Sequence, residues 1–347
     1  MLKLCSQKPP SLAATIRRDF HKIDLNQNGR LSSAELEKSL LSDEFRGPSA
    51  ASLSTLYRNR HALGRRGLSL DNLDCLGQDA ERMFLQKTEA TRQFKEELFP
   101  PESGRAVQGH ISDCWFVATA HGLEQKRPEE LRHRVQEKED DLYQVSFPNG
   151  TTQTVTAPTQ AERLTFAADS EGYLWASVLE KAYGEKHQGF LRERLPQKTL
   201  TVFGTAALGI RALTGHSADT DQTLLTRLST TRRKLQQTLG DKGVIVASSK
   251  QNIGRRLLGQ SPDRDGIIAG HCYSVTDFDP ETDTVTMRNP WGDSGWSGAT
   301  GGGKDGEFEM PLSALARYFS SISYEEVDPS SETTPPPSPC PAYPEKA

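Results

Sequence analysis

The chain carries five cysteines, Cys5, Cys75, Cys114, Cys272 and Cys340, an odd number with no Cys-x-x-Cys pair and no repeating spacing. Disulfide scaffolds and zinc ribbons need such spacing, so the cysteines point instead to one reactive thiol. Cys114 is placed for that role. It opens an apolar run from Trp115 to Gln125 that reads as a helix, and a helix N-terminus favours thiolate over thiol. Gln108, a little upstream, can return its side-chain amide to the same place and donate to a developing oxyanion. A base and an orienting group lie far downstream. His271 sits in Ala269-Gly270-His271-Cys272-Tyr273-Ser274-Val275, which reads as a strand. Asn289 sits in Met287-Arg288-Asn289-Pro290-Trp291-Gly292, where its amide oxygen can orient the imidazole and Trp291 can shield that bond from water. The chemistry these residue types support is acyl transfer through a thiol.

Positioning such groups requires a substantial fold. At 347 residues the chain has material for about two domains. A formal charge of −4 leaves no basic excess to drive phosphate binding, so nucleic acid is not expected as a partner. No apolar run reaches the ~18 residues of a membrane span, and the first ten residues lack the apolar stretch of a signal peptide. The expected compartment is therefore the cytoplasm.

Leu12, Ile16 and Phe20 and then Leu36, Leu40 and Leu41 predict two helices around a polar loop. Pro48 opens another, with Leu53, Leu56 and Tyr57 on one face, and a further helical piece covers Asp71 to Leu76. Charged helical patterning extends from Gln78 to Leu98, where Pro100-Pro101 breaks it. Further on, Leu142–Phe147 and Thr152–Thr156 flank Pro148-Asn149-Gly150 as a hairpin. Trp175 to Tyr183 reads as helix. So does Asp221 to Leu239, with Leu224, Leu225, Leu228, Leu235 and Leu239 on one face and a stop at Gly240. Val244–Ala247, Cys272–Thr276 and Thr284–Met287 are short strands. The class is α+β, with a helical lobe before a sheet-rich one. We expect a flexible start over residues 1–10, a helical pair over 11–80, a linking helical segment over 81–107, a catalytic domain over 108–327 and a disordered Pro-rich tail over 328–347.

The polar loop has its own chemistry. Asp24, Asn26 and Asn28 offer side-chain oxygens at alternate positions, Gly29 permits the sharp turn, Arg30 offers its carbonyl and Glu35 closes the loop with a carboxylate. This alternation suits a hard divalent cation, and the segment resembles the calcium loop of an EF-hand. With only Asp24 and Glu35 charged, weak to intermediate calcium affinity is expected. Aligning Leu68 with Leu31 sets His61, Leu63, Arg65 and Asn72 where the ligands would stand, so the second unit reads as a metal-free partner hand.

The order Gln108, Cys114, His271, Asn289 resembles papain-like peptidases, and the wording of five segments resembles the calpains more closely. These are Gln-Gly-x-x-x-Asp-Cys-Trp at 108–115, Leu-Trp-x-x-x-Leu-Glu-Lys-Ala-Tyr at 174–183, Leu-Thr-Gly at 213–215, Gly-His-x-Tyr-Ser-Val-Thr at 270–276 and Arg-Asn-Pro-Trp-Gly at 288–292. The resemblance implies a two-lobed papain-like cysteine endopeptidase acting on protein substrates. It makes Cys114 the nucleophile, His271 the base and then acid, Asn289 the orienter, and Gln108 with the Cys114 amide the oxyanion hole. Calpains have glycine where Ser112 stands. They also hold calcium in each lobe, whereas Arg105 and Tyr173 replace acids in the first lobe here. Asp305-Gly306-Glu307-Phe308 matches the second, but the loop after Trp296 is short, so core calcium is not expected.

Calcium at Asp24–Glu35 then either regulates the cleft through an intramolecular contact or only steadies its own helices. A non-catalytic calcium-binding adaptor of the same fold, and an acyltransferase using the same three residues, are the alternatives. Of the remaining residues, Cys272 reads as packing because it alternates away from His271, His110 as cleft rim, and Arg232-Arg233-Lys234 as a solvated helix face.

Overall fold

The computed structural model describes residues 10–60, 67–191, 195–201, 204–254, 261–293, 296 and 304–327. Cys5, Cys340, His61, Leu63, Arg65, the loop after Trp296 and the Pro-rich tail fall outside the described residues.

Four helices lead the fold: α1 (Leu12–Ile23), α2 (Ser33–Leu40), α3 (Pro48–Arg58) and α4 (Gly77–Ala90). Ser11 caps α1 by accepting from the Ala14 amide, and the helix buries Leu12, Ile16, Phe20 and Ile23 along one stripe. A reciprocal pair of hydrogen bonds between Ser32 and Glu35 starts α2. The loops ahead of α2 and after residue 67 meet through Leu31 and Leu68, whose amides and carbonyls exchange bonds of 2.7 and 3.1 Å. The helical patterning does not run to Leu98. Helix α4 ends at Ala90, a 3₁₀ turn reaches Gln93, and residues 95–98 instead follow a bent path tied to a distant segment. There the Lys95 amide donates to Gly172, and the amides of Leu174 and Trp175 donate to Glu97 and Leu98.

The strands are β1 (Ala106–Val107), β2 (Val135–Glu137), β3 (Leu142–Ser146), β4 (Thr152–Thr156), β5 (Ala168–Asp169), β6 (Ala218–Gln222), β7 (Ile245–Ser249), β8 (Cys272–Asp279), β9 (Thr284–Arg288), β10 (Glu307–Pro311) and β11 (Phe319–Glu325). Strands β2, β3 and β4 form one antiparallel sheet containing the expected hairpin, and β1 pairs with β5. The largest sheet is antiparallel in the order β10-β9-β8-β7-β11-β6. Helix α5 (Cys114–Lys126) lies against β7 and β8, completing a mixed helix and sheet architecture.

Two apolar cores divide the molecule. One is continuous from α1–α4 through α5 to the helix Trp175–Leu191, and includes Ile16, Phe84, Phe116, Trp175 and Cys272. The other lies on the large sheet, between it and the helices Leu228–Gly240 and Leu312–Tyr318, and includes Leu235, Tyr273, Met287 and Phe319.

One helix expectation is overturned. Ala218–Gln222 is an edge strand on β11, and the helix begins only at Leu228, ending at Gly240 as expected. Leu224 and Leu225 are 76% and 86% exposed, so of the five leucines read as one face only Leu235 is buried. Leucine spacing mimicked a helical stripe, whereas cross-strand pairing decided the structure. Nor is the Arg232–Lys234 cluster merely solvated: Lys234 pairs with Asp219 and Asp221 of β6, both at 2.7 Å.

Candidate active site

The antiparallel register of β8 and β9 builds the imidazole end of the site. Ser274 stands opposite Arg288, so the same register continued beyond the ladder sets His271 opposite Trp291, with Asn289 on the same face. Gly270, at φ +66°, supplies the turn into β8 that only glycine adopts without strain. His271 Nε2 lies 2.9 Å from Asn289 Oδ1, and both residues are buried. A carboxamide oxygen can only accept, so Nε2 carries the proton and Nδ1 is the free basic nitrogen. The Trp291 ring packs 4.9 Å from the imidazole and is 42% exposed.

Cys114 opens α5, where the first amides have no helical acceptor. Its thiol is half-buried and interacts with both His271 and Cys272. The expectation of a depressed thiol pKa fails here. Contact with Cys272, followed by burial, pushes the thiol up, and the imidazole pulls it back only in part. Cys272 is correspondingly no mere packing residue, because it lies against Cys114.

Gln108 is brought to the same end of α5. Its backbone amide donates to Pro290 at 2.7 Å, and its Nε2 donates to the Ile111 carbonyl at 2.6 Å. Beneath it, Asp113 and Glu180 are fully buried and face each other. Burial raises both carboxyls, and Asp113 raises Glu180 further. The Ala167 amide fixes the other Glu180 oxygen at 2.8 Å. Glu180 escaped the residue-level reading, although the Leu-Glu-Lys-Ala-Tyr wording contains it.

The two sides of the site are tied together directly. Arg105 pairs with Asp305 at 2.6 Å, and Arg288 donates to the Ala106 carbonyl at 2.6 Å and to the Asp305 carbonyl at 3.1 Å. Arg105 thus holds the carboxylate that the second-lobe motif would offer a cation.

His110 is not a free rim residue. Arg58 lies 2.6 Å from its Nδ1 and Lys87 2.6 Å from its Nε2. A guanidinium can only donate, so Nδ1 accepts and Nε2–H donates to Lys87. The lysine must then be a neutral amine, giving its own hydrogens to Ser54 Oγ at 2.5 Å and the Leu164 carbonyl at 2.7 Å. Burial, with Arg58 adding repulsion, lowers Lys87 to about 7. The folded state therefore binds fewer protons than the unfolded one between about 7 and 10.5, and stability rises with pH across that window. Thermal melting as a function of pH is expected to climb there for the native chain and to stay flatter for Lys87→Met.

The residues proposed for calcium also share one place. Asp24 accepts from the Asn28 and Gly29 amides at 3.1 and 2.8 Å, Asn26 from Asn28 at 3.0 Å, and Asn28 from Arg30 at 2.8 Å. Glu35 reaches across the loop to accept from the Asn26 amide at 3.3 Å and the Ser32 amide at 2.9 Å. Burial opposes ionisation of Glu35, but the Ser32 and Asn26 hydrogen bonds outweigh it and hold the carboxylate below its usual range. Gly29 takes φ +75°, turning the chain. This is an all-oxygen donor set on a curled loop, which fits a hard cation. No group of three or more His, Cys, Asp or Glu forms a metal cluster among the described residues.

Comparison with known proteins places the chain in a family. The family model described as calpain family cysteine protease matches residues 91–305. Calpain-8 of Rattus norvegicus is 25% identical over 264 residues, covering 65% of this chain and 35% of that protein. The calpain-2 catalytic subunit of Gallus gallus is 25% identical over 253 residues, covering 62% and 34%. Calpain-B of Drosophila melanogaster is 25% identical over 270 residues, covering 65% and 28%. The chain spans about a third of the length of these relatives. No helix among the described residues is long and apolar enough to cross a membrane. With a cysteine at a helix start beside a paired histidine and asparagine, and with the family match covering most of the chain, this protein belongs to the calpain family of cysteine proteases.

Proposed function

We propose that the chain is a cysteine endopeptidase that hydrolyses protein substrates through Cys114, His271 and Asn289 in its catalytic domain, residues 108–327. The observation that carries this reading is the 2.9 Å bond between His271 Nε2 and Asn289 Oδ1 beside a thiol at the start of α5. With Nε2–H committed to Asn289, Nδ1 takes the proton from Cys114 as Sγ attacks the substrate carbonyl. The oxyanion would accept from the Cys114 amide and from Gln108 Nε2, which must turn from the Ile111 carbonyl to reach it. Nδ1 then returns the proton to the leaving amine, and water releases the acyl group. Cleavage of an unfolded protein under reducing conditions, with no incorporation of added amines, tests the reading. Amine incorporation in place of hydrolysis would make the chain an acyltransferase.

Calcium forms the second part of the proposal. In the helical pair, residues 11–80, the Asp24, Asn26 and Asn28 side chains, the Arg30 carbonyl and Glu35 would hold one calcium ion, which supplies positive charge that draws the loop together. Direct bonds from these helices to the protease supply a route for coupling. Gly47 donates to Gln160 at 2.7 Å, Ser54 to the Leu164 carbonyl at 2.8 Å, and Thr159 to the Leu40 carbonyl at 2.5 Å. Calorimetric titration is expected to give one site no tighter than about 10⁻⁶ M, lost in Glu35→Gln. If calcium regulates, turnover differs between chelator and calcium in the native chain and not in Glu35→Gln. Equal rates throughout would leave the ion a purely structural role.

A further inference from the structure

We propose that Cys272 is a resolving thiol for Cys114, so that peroxide converts the pair to an intramolecular disulfide that shuts the site reversibly. The placement follows from how β8 lies on α5. Ser274 Oγ donates to the Ala118 carbonyl at 2.8 Å, fixing residue 274 over residue 118. Two residues back along a strand is about 6.8 Å, and four residues back along a helix is about 6 Å. The register that sets Ser274 on Ala118 therefore sets Cys272 on Cys114, and the two thiols do interact.

Strand alternation sharpens the point. Tyr273 packs into the core of the large sheet, whereas Cys272 packs into the core against which Cys114 lies. Ser248, opposite Cys272 in β7, holds its sulfur with Oγ at 3.6 Å. Cys272 is buried and Cys114 half-buried, so an oxidant from the cleft meets Cys114 first and Cys272 waits behind it.

The chemistry balances with hydrogen peroxide as the named oxidant. The Cys114 thiol gives up its proton as its sulfur attacks one peroxide oxygen, the O–O bond breaks, the departing hydroxide takes that proton to become water, and a sulfenic acid remains. The Cys272 thiol gives up its proton as its sulfur attacks the sulfenic sulfur, an S–S bond forms, the S–O bond breaks and the departing hydroxide takes that proton to leave as a second water. A dithiol such as dithiothreitol reverses the state by exchange, becoming oxidised itself. Pairing also stops the nucleophile from advancing to the irreversible sulfinic and sulfonic acids.

The effect on turnover rests on Cys114 being the nucleophile, but the covalent step is read independently. The full-length chain is treated with a small excess of hydrogen peroxide, alkylated, and mapped by mass spectrometry. The expected result is a cross-linked peptide joining Cys114 to Cys272, with loss of two hydrogens, which dithiothreitol removes. In Cys272→Ala, and in Cys272→Ser as a polar control, Cys114 is expected to gain two and three oxygens that dithiothreitol does not remove. A cross-link in a chain without peptidase activity supports the pairing and overturns the catalytic reading instead. Native and variant chains over-oxidised alike at Cys114, with no cross-link, would overturn the proposal.

Discussion

Replacing Cys114 with alanine is expected to lower hydrolysis of an unfolded protein by about 10⁴-fold or more, with the melting temperature unchanged within a few degrees. The size of the loss follows from what remains. Alanine keeps the start of α5 and its backbone amides, so only residual binding and electrostatic stabilisation would survive. Serine at the same position is the stricter variant, because it keeps the shape and a proton while being far less nucleophilic. Cys272 does not substitute for the missing thiol: it is buried on the core side of Cys114, with its sulfur against Ser248. Initial rates and thermal melting on the same preparations check both halves. A Cys114→Ala chain that retains a tenth of the activity would locate the chemistry elsewhere.

The second large effect concerns the imidazole. His271→Ala is expected to cost about 10³- to 10⁴-fold in kcat with a small change in KM, since the ring acts on the reacting atoms and not on the distant parts of the substrate. Because contact with Cys272 and burial raise the Cys114 thiol while His271 lowers it, removal of the ring also slows alkylation of Cys114 by iodoacetamide at neutral pH. That second readout separates loss of the base from loss of substrate binding. Asn289→Ala is milder, about 10²-fold, because the ring persists but its Nε2–H loses an acceptor and the preferred tautomer with it.

Much of the site was legible because its parts are local. The helix start at Cys114 and the strand before Asn289 are written in short segments, and the ring-to-amide bond follows from the pairing of two neighbouring strands. The elements that escaped were those fixed by distant partners. His110 reads as a rim residue until Arg58 and Lys87, from helices well upstream, close on both ring nitrogens. Cys272 reads as packing until the crossing of β8 over α5 sets it on Cys114. Asp221–Leu239 carries leucines at helical spacing, yet its first residues join β11, a strand about a hundred positions later. Local pattern gives the face an element can bury, and tertiary pairing decides whether that element forms.

Covalent capture reads most directly whether Cys114 is a nucleophile within reach of His271. A peptidyl epoxide directed at cysteine proteases is incubated with the reduced full-length chain, in calcium and in chelator, and the adduct is located by mass spectrometry. One adduct is expected, on Cys114, absent in Cys114→Ala and formed far more slowly in His271→Ala. No adduct on Cys114 in either condition would contradict the proposed nucleophile and leave a calpain-family chain that binds without cleaving.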